Sequence, residues 1–135
     1  MFQWYLSRTD KVDWSSAIAA CKTFDMTLAE MNSESAFDVF QGYMTNFNWV
    51  HQSYFRAFVG ITKPSNSQTW YRASNSQKVT FNLVVNSKPN DILGKRCLTA
   101  DVHSYHQAAL FDSANCSEKN FYICEKFTGE ASGIA

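Results

Sequence analysis

The stretch Ser87–Leu98 reads SKPNDILGKRCL, and its residue types could build a site for a hard cation. Asn90 and Asp91 carry side-chain oxygens of the kind that hold calcium, and Pro89 fixes the backbone beside them. Lys88 and Lys95 flank those oxygens, and an ammonium group can only donate. Two readings are therefore open: a loop that holds a divalent ion, or a loop that keeps the frame of such a site without the ion. A turn following proline also accounts for Asn90-Asp91 with no ligand at all.

Other chemistry is thinly supported. His103 and His106 stand three apart, which would put them on opposite sides of a strand, and no His-Glu-x-x-His pattern accompanies them. No nucleophile elbow, phosphate loop or acid–base pair is present, so the chain is not read as an enzyme. Asn115-Cys116-Ser117 matches the glycosylation pattern, with a cysteine in the middle position. The four cysteines are at 21, 97, 116 and 124. None forms a C-x-x-C pair, so zinc and thioredoxin-like chemistry are weak readings. An even count in a small aromatic domain favours disulfides and an oxidising compartment, with three pairings open.

Composition narrows the partners. The 135 residues suit one domain with a real core, and 16% are aromatic, which argues against disorder. Lys and Arg total 12 against 12 Asp and Glu. With no basic tract, nucleic acid is not an expected partner. No apolar run approaches the ~18–20 residues of a membrane span. The opening MFQWYLSRTDKVDW lacks the apolar core of a signal peptide, so a secreted chain would be a mature form.

The elements that must position these residues follow from periodicity. Phe2–Leu6 reads as an opening strand. Asp13 can cap a helix on which Trp14, Ala17, Ile18 and Cys21 share one face, ending near Phe24. Thr27–Met31 is a connector. Asn32 or Ser33 can cap a second helix carrying Phe37, Phe40 and Met44 at helical spacing. Residues 45–57 are aromatic and aperiodic; Phe47, Trp49, Tyr54 and Phe55 either pack or form a contact patch. Phe58–Ile61 reads as a strand, and Thr69–Arg72 carries Trp70 and Tyr71. Residues 73–96 read as a long, mostly irregular loop, and such loops usually carry function. Cys97–Thr99, Ala108–Phe111 and Phe121–Glu125 read as closing strands, and 128–135 as a flexible tail. The order of helices and strands is an α+β pattern.

Taken in order, W-S-S-A-I-A-A-C at 14–21, L-A at 28–29, F-V-G-I at 58–61, Trp70, P-N-D at 89–91, R-C-L at 96–98, Cys116 and F-Y-I-C-E-K at 121–126 resemble the C-type lectin-like domain. The resemblance runs from about Phe2 to Phe127. It implies the C-type lectin-like fold over 1–127, with two helices flanking small antiparallel sheets and a long irregular loop. It also implies disulfides Cys21–Cys124 and Cys97–Cys116, and places Phe58 where the family's core strand has tryptophan.

The resemblance further locates a calcium site. In calcium-dependent members the ion is held by a Glu-Pro-Asn or Gln-Pro-Asp triplet, an acidic residue before the third cysteine, and a Trp-Asn-Asp triplet. Here Lys88-Pro89-Asn90 stands at the first triplet, Lys95 near the acidic position, and Phe111-Asp112-Ser113 at the last. Two lysines replace carboxylates. A unit charge ~4 Å from a divalent ion is repelled by about 8 kcal/mol at an effective dielectric near 20 and about 2 kcal/mol in water. A micromolar site contributes only about 8 kcal/mol in all.

No metal or other cofactor is therefore expected at the family position; an ion there would rest on Asn90, Asp91 and Asp112. Asn75, Asn82 and Asn86 supply spare oxygens elsewhere in the loop. Lys88 could instead bridge Asn90 and Asp112 in the ion's place, or Lys88 and Lys95 could be no more than solvated surface charges. The expectation is a secreted, extracellular recognition module that binds a protein or an atypical glycan through Lys88, Asn90, Asp91, Lys95 and Asp112. The alternatives are a calcium-dependent lectin with altered ligands, and an assembly subunit forming a homo- or heterodimer with another lectin-like domain.

Overall fold

The computed structural model describes residues 2–7, 9–46, 54–64, 67–80, 94–103 and 110–127. Its elements, in chain order, are β1 (Phe2–Leu6), α1 (Trp14–Thr23), β2 (Thr27–Leu28), α2 (Glu34–Asn46), β3 (Tyr54–Thr62), β4 (Tyr71–Arg72), β5 (Cys97–His103), β6 (Leu110–Ala114) and β7 (Phe121–Phe127).

Both helices start where side-chain oxygens can take up otherwise orphaned N–H groups. The Asp13 carboxylate accepts from Ser16 N at 2.9 Å, and Ser33 Oγ accepts from Ala36 N at 3.1 Å. The first helix ends at Phe24, whose N–H returns to Cys21 O, and Asp25 leaves it at φ 59°. That left-handed value suits aspartate better than most residues.

The strands run β1-β7-β3-β5-β6, with β2 also on β7 and β4 on β3. Most pairs are antiparallel, as expected, but β3 and β7 run parallel through Ala57↔Phe121 and Phe58↔Tyr122. Their long intervening chain supplies the crossover that a parallel pair needs. The β3 and β5 strands are longer than periodicity alone suggests. Arg56 interrupts the apolar run on β3, yet it belongs to the strand and pairs with Asp101 on β5.

Alternation sorts the side chains onto two faces. Ala57, Val59, Ile61, Leu98, Ala100, Phe111 and Ile123 pack with Phe40 and Met44 of α2. Phe111 lies stacked on Phe40, ring centroids 6.2 Å apart. The opposite face gathers Phe58, Cys97, Ala114, Tyr122 and Cys124 with Ala17 and Cys21 of α1. Phe58 is fully buried, as its place in the core strand implies.

Both implied disulfides are present: Cys21–Cys124 spans 103 residues and Cys97–Cys116 spans 19. Gly60 is fixed by space, since a Cβ there would meet Leu28 O at 2.8 Å. The start of the expected long loop is ordered. Tyr71 bridges Lys78, Arg72 N bonds Gln77 O and Val79 N bonds Trp70 O, folding residues 73–80 back onto β4.

Candidate functional site

Asp112, Lys95 and the strands β5 and β6 are described; Lys88, Asn90 and Asp91 lie outside the described residues, as do Phe47, Trp49 and His106. The alternative of a bridge from Lys88 to Asp112 therefore lies outside the described residues too.

The register of β3, β5 and β6 decides what surrounds Asp112. Arg56 is opposite Asp101, and Thr99 is opposite Asp112. Residues of matching parity share a face, so Arg56, Thr99, Asp101 and Asp112 come together on the side away from α2. The Arg56 guanidinium lies 3.6 Å from Asp101 Oδ2, 3.8 Å from Asp112 Oδ2 and 3.5 Å from Glu118 Oε2. Its Nη2 donates to Ser113 O at 3.3 Å. Side-chain exposures of 20% for Arg56, 8% for Asp101 and 13% for Asp112 place these pairs below the surface, where screening is weaker, while Glu118 at 39% is at the rim.

Neutral donors complete the group. Thr99 Oγ1 lies 2.8 Å from Asp101 Oδ1, and Ser113 N donates to Asp112 Oδ1 at 2.9 Å. Asn120 Nδ2 donates to Glu118 Oε2 at 3.0 Å. Both oxygens of Asp112 are thus engaged, one by a backbone N–H and one by a cation built into the fold. A dication on Asp112 would stand beside the guanidinium and meet repulsion of several kcal/mol, about 8 at 4 Å and an effective dielectric near 20. Lys95 is half-buried and makes no ion pair with a described residue. Among the described residues, no cluster of three or more His, Cys, Asp or Glu is placed to hold a metal ion.

Arg56, Asp101 and Glu118 were not singled out by sequence. The available signal was an arginine two residues before the buried FVGI strand: on a strand, that spacing shares a face with Phe58. Its carboxylate partners come from β5 and from the turn after Cys116, and pairing at such separation has no local mark.

A second pair of buried acids stabilises the opposite end of the sheet. Glu125 Oε1 accepts from Glu30 N at 2.9 Å and Met31 N at 3.3 Å, and Oε2 accepts from the Trp4 indole at 3.1 Å. Glu30 accepts from Ser74 N at 2.9 Å and Ser74 Oγ at 2.8 Å. Burial pushes both carboxyls above their ordinary range, against the pull of those donors. Their role is to tie the 29–31 backbone and residue 74 to the sheet.

Comparison with known proteins bears on what this scaffold is. A family model described as the lectin C-type domain matches residues 10–126. A search of curated protein sequences returns no match. Among solved structures, the C-type lectin domain of murine dendritic cell inhibitory receptor 2, in complex with N-glycan, superposes with a TM-score of 0.69 at 15% identity, covering 93% of this chain and 90% of that one. A calcium-independent type II antifreeze protein gives 0.66 at 21% identity, covering 93% and 85%. A calcium-dependent type II antifreeze protein in its calcium-free form gives 0.68 at 16% identity, covering 93% and 92%. At these identities the structural likeness shows the fold.

Proposed function

The chain belongs to the C-type lectin domain family, and on that premise we propose that it is a secreted recognition module that binds its ligand without calcium at the family position. The observation that carries this reading is the engagement of Asp112 by Arg56. Of the residues that could hold the ion, Asp112 is the one described carboxylate, and a guanidinium already faces it. The lysines at 88 and 95 add positive charge where the family's calcium-dependent members have acidic groups. That calcium-dependent and calcium-independent proteins both occur among the structural neighbours is compatible with this scaffold standing without the ion.

The proposed contact surface comprises Lys88, Asn90, Asp91, Lys95 and Asp112, displayed by the long loop and the β5–β6 strands. Its ligand is a protein or a glycan, and the domain binds rather than catalyses. The two disulfides agree with an extracellular setting, and no helix among the described residues is long and apolar enough to cross a membrane. Screening the intact chain against glycan and extracellular-protein arrays, with calcium and with excess chelator, tests the reading. Binding that persists in chelator supports it, and binding abolished by chelator overturns it.

A further inference from the structure

A groove of about 500 Å³ runs between the start of α1, the end of β3 and β4, and its lining includes Trp14, Ile18, Lys63, Tyr71, Arg72 and Arg96. That volume is in the range of small-ligand sites. Among the described residues three cations and no acid line it, in a chain whose formal charge is zero. Glu30 and Lys22 line an adjoining cavity of about 240 Å³ that shares Ile18 and Ala73 with the groove. The Glu30 carboxylate is already taken by Ser74.

The groove is built rather than loose. The Trp14 indole donates to Val59 O at 3.0 Å, which fixes its ring. Arg72 is held through Nη1 to Asn32 O at 3.0 Å and Nη2 to Gln77 Oε1 at 2.9 Å. Arg96 is anchored by Nε to Lys63 O at 3.1 Å and is otherwise exposed. Lys63 is buried, its ammonium 5.3 Å from the Trp70 ring centroid, so it supplies field more than contact.

We propose that this groove, whose lining includes none of Lys88, Asn90, Asp91, Lys95 and Asp112 among the described residues, is a second binding site and that it takes a sulfated saccharide. Sulfate oxygens suit the Nη fork of Arg96 and the charge of Arg72, whose two Nη groups already donate to Asn32 and Gln77, while Trp14 and Tyr71 offer flat apolar faces to the sugar rings. An extended acidic peptide is the less suited ligand, because it would seek a free strand edge. Here β4 is paired on both sides, Ile61↔Arg72 on one and Tyr71↔Lys78 on the other. Backbone partners for a peptide are therefore already used.

The test is calorimetric titration of the whole chain, in excess chelator, with a heparin-derived hexasaccharide, its desulfated counterpart and a poly-glutamate peptide. The expected result is binding of the sulfated sugar that weakens as salt rises, with the desulfated sugar at least about tenfold weaker, as loss of charge-assisted bonds implies. Ser76→Asp places a negative charge in the groove at a residue with φ 59°, which aspartate tolerates. It deletes no cation, and should weaken binding by about tenfold. Arg96→Gln should do the same, while Lys126→Gln, outside the groove, should leave affinity unchanged. No binding of the sulfated sugar, affinity unchanged from the parent chain in the Ser76 and Arg96 variants, or tighter binding of poly-glutamate would each overturn the proposal. None of these outcomes touches the calcium-independent reading, which rests on Asp112.

Discussion

Arg56 on β3 and Asp112 on β6 are joined across the intervening strand β5: the guanidinium lies 3.8 Å from the Asp112 carboxylate while also meeting Asp101 at 3.6 Å. One side chain therefore ties three strands and engages the carboxylate that the family resemblance puts among the calcium ligands. The cation is part of the chain and is present whenever the chain is folded.

Removing that cation should leave partly buried carboxylates facing one another. Arg56→Gln is expected to lower stability by about 2 kcal/mol, below the 3–5 of a fully buried pair because the side chain is one-fifth exposed. In a double-mutant cycle with Asp112→Asn, a coupling energy of about 1 kcal/mol is expected. Urea unfolding of the four proteins measures both, and strictly additive effects would show that the two groups do not interact.

The buried acid Glu125 makes a pH-dependent contribution of definite sign. Its carboxyl is raised above its ordinary 4.5 by burial, so the folded state binds more protons than the unfolded state above that value. The stability it lends is fully present below the unfolded value and is lost as pH rises through the folded one. Glu30 acts in the same direction. Glu125→Gln should flatten the fall in stability between acid and neutral pH. Glu125→Ala orphans the N–H groups of Glu30 and Met31, and should cost about 3 kcal/mol at acid pH, the loss shrinking as pH rises toward neutral. Unfolding curves across pH check both expectations.

The two disulfides should differ in accessibility and in strength. Cys21 and Cys124 are wholly buried, whereas Cys116 is partly exposed. Mild reductant should open Cys97–Cys116 first, as mass mapping of alkylated peptides would reveal. By loop-closure entropy the 19-residue loop contributes about 3 kcal/mol and the 103-residue loop about 4.7. Losing both would exceed the stability of many single domains, so full reduction is expected to unfold the protein at 37 °C.

Much of the scaffold could be read before any coordinates. Trp14, Ala17, Ile18 and Cys21 mark a helix face because burial follows the helical period, and Asp13 and Ser33 mark starts because capping is local chemistry. Phe58 was placed in the core by its motif. Strand ends were less legible: β3 begins at Tyr54 and β5 runs to His103, because strand length is set by partners that lie far away in sequence. The same reason hides the Arg56 cluster and Glu125. Each is polar, and each is buried only because residues from distant segments close around it. Asp112 was singled out by family resemblance, but its counter-ion was not, since resemblance to a metal site directs attention to ligands and away from a cation that would replace the metal.

The most direct measurement is thermal unfolding of the intact chain in millimolar calcium and in excess chelator. A ten-micromolar site would add about 2.7 kcal/mol at millimolar calcium, or on the order of 8 °C in a domain of this size. The account predicts coincident transitions, because Arg56 already satisfies Asp112 and the lysines oppose an added dication. A calcium-dependent rise of several degrees that is lost in Asp112→Asn would contradict it, and would return the ion to the site.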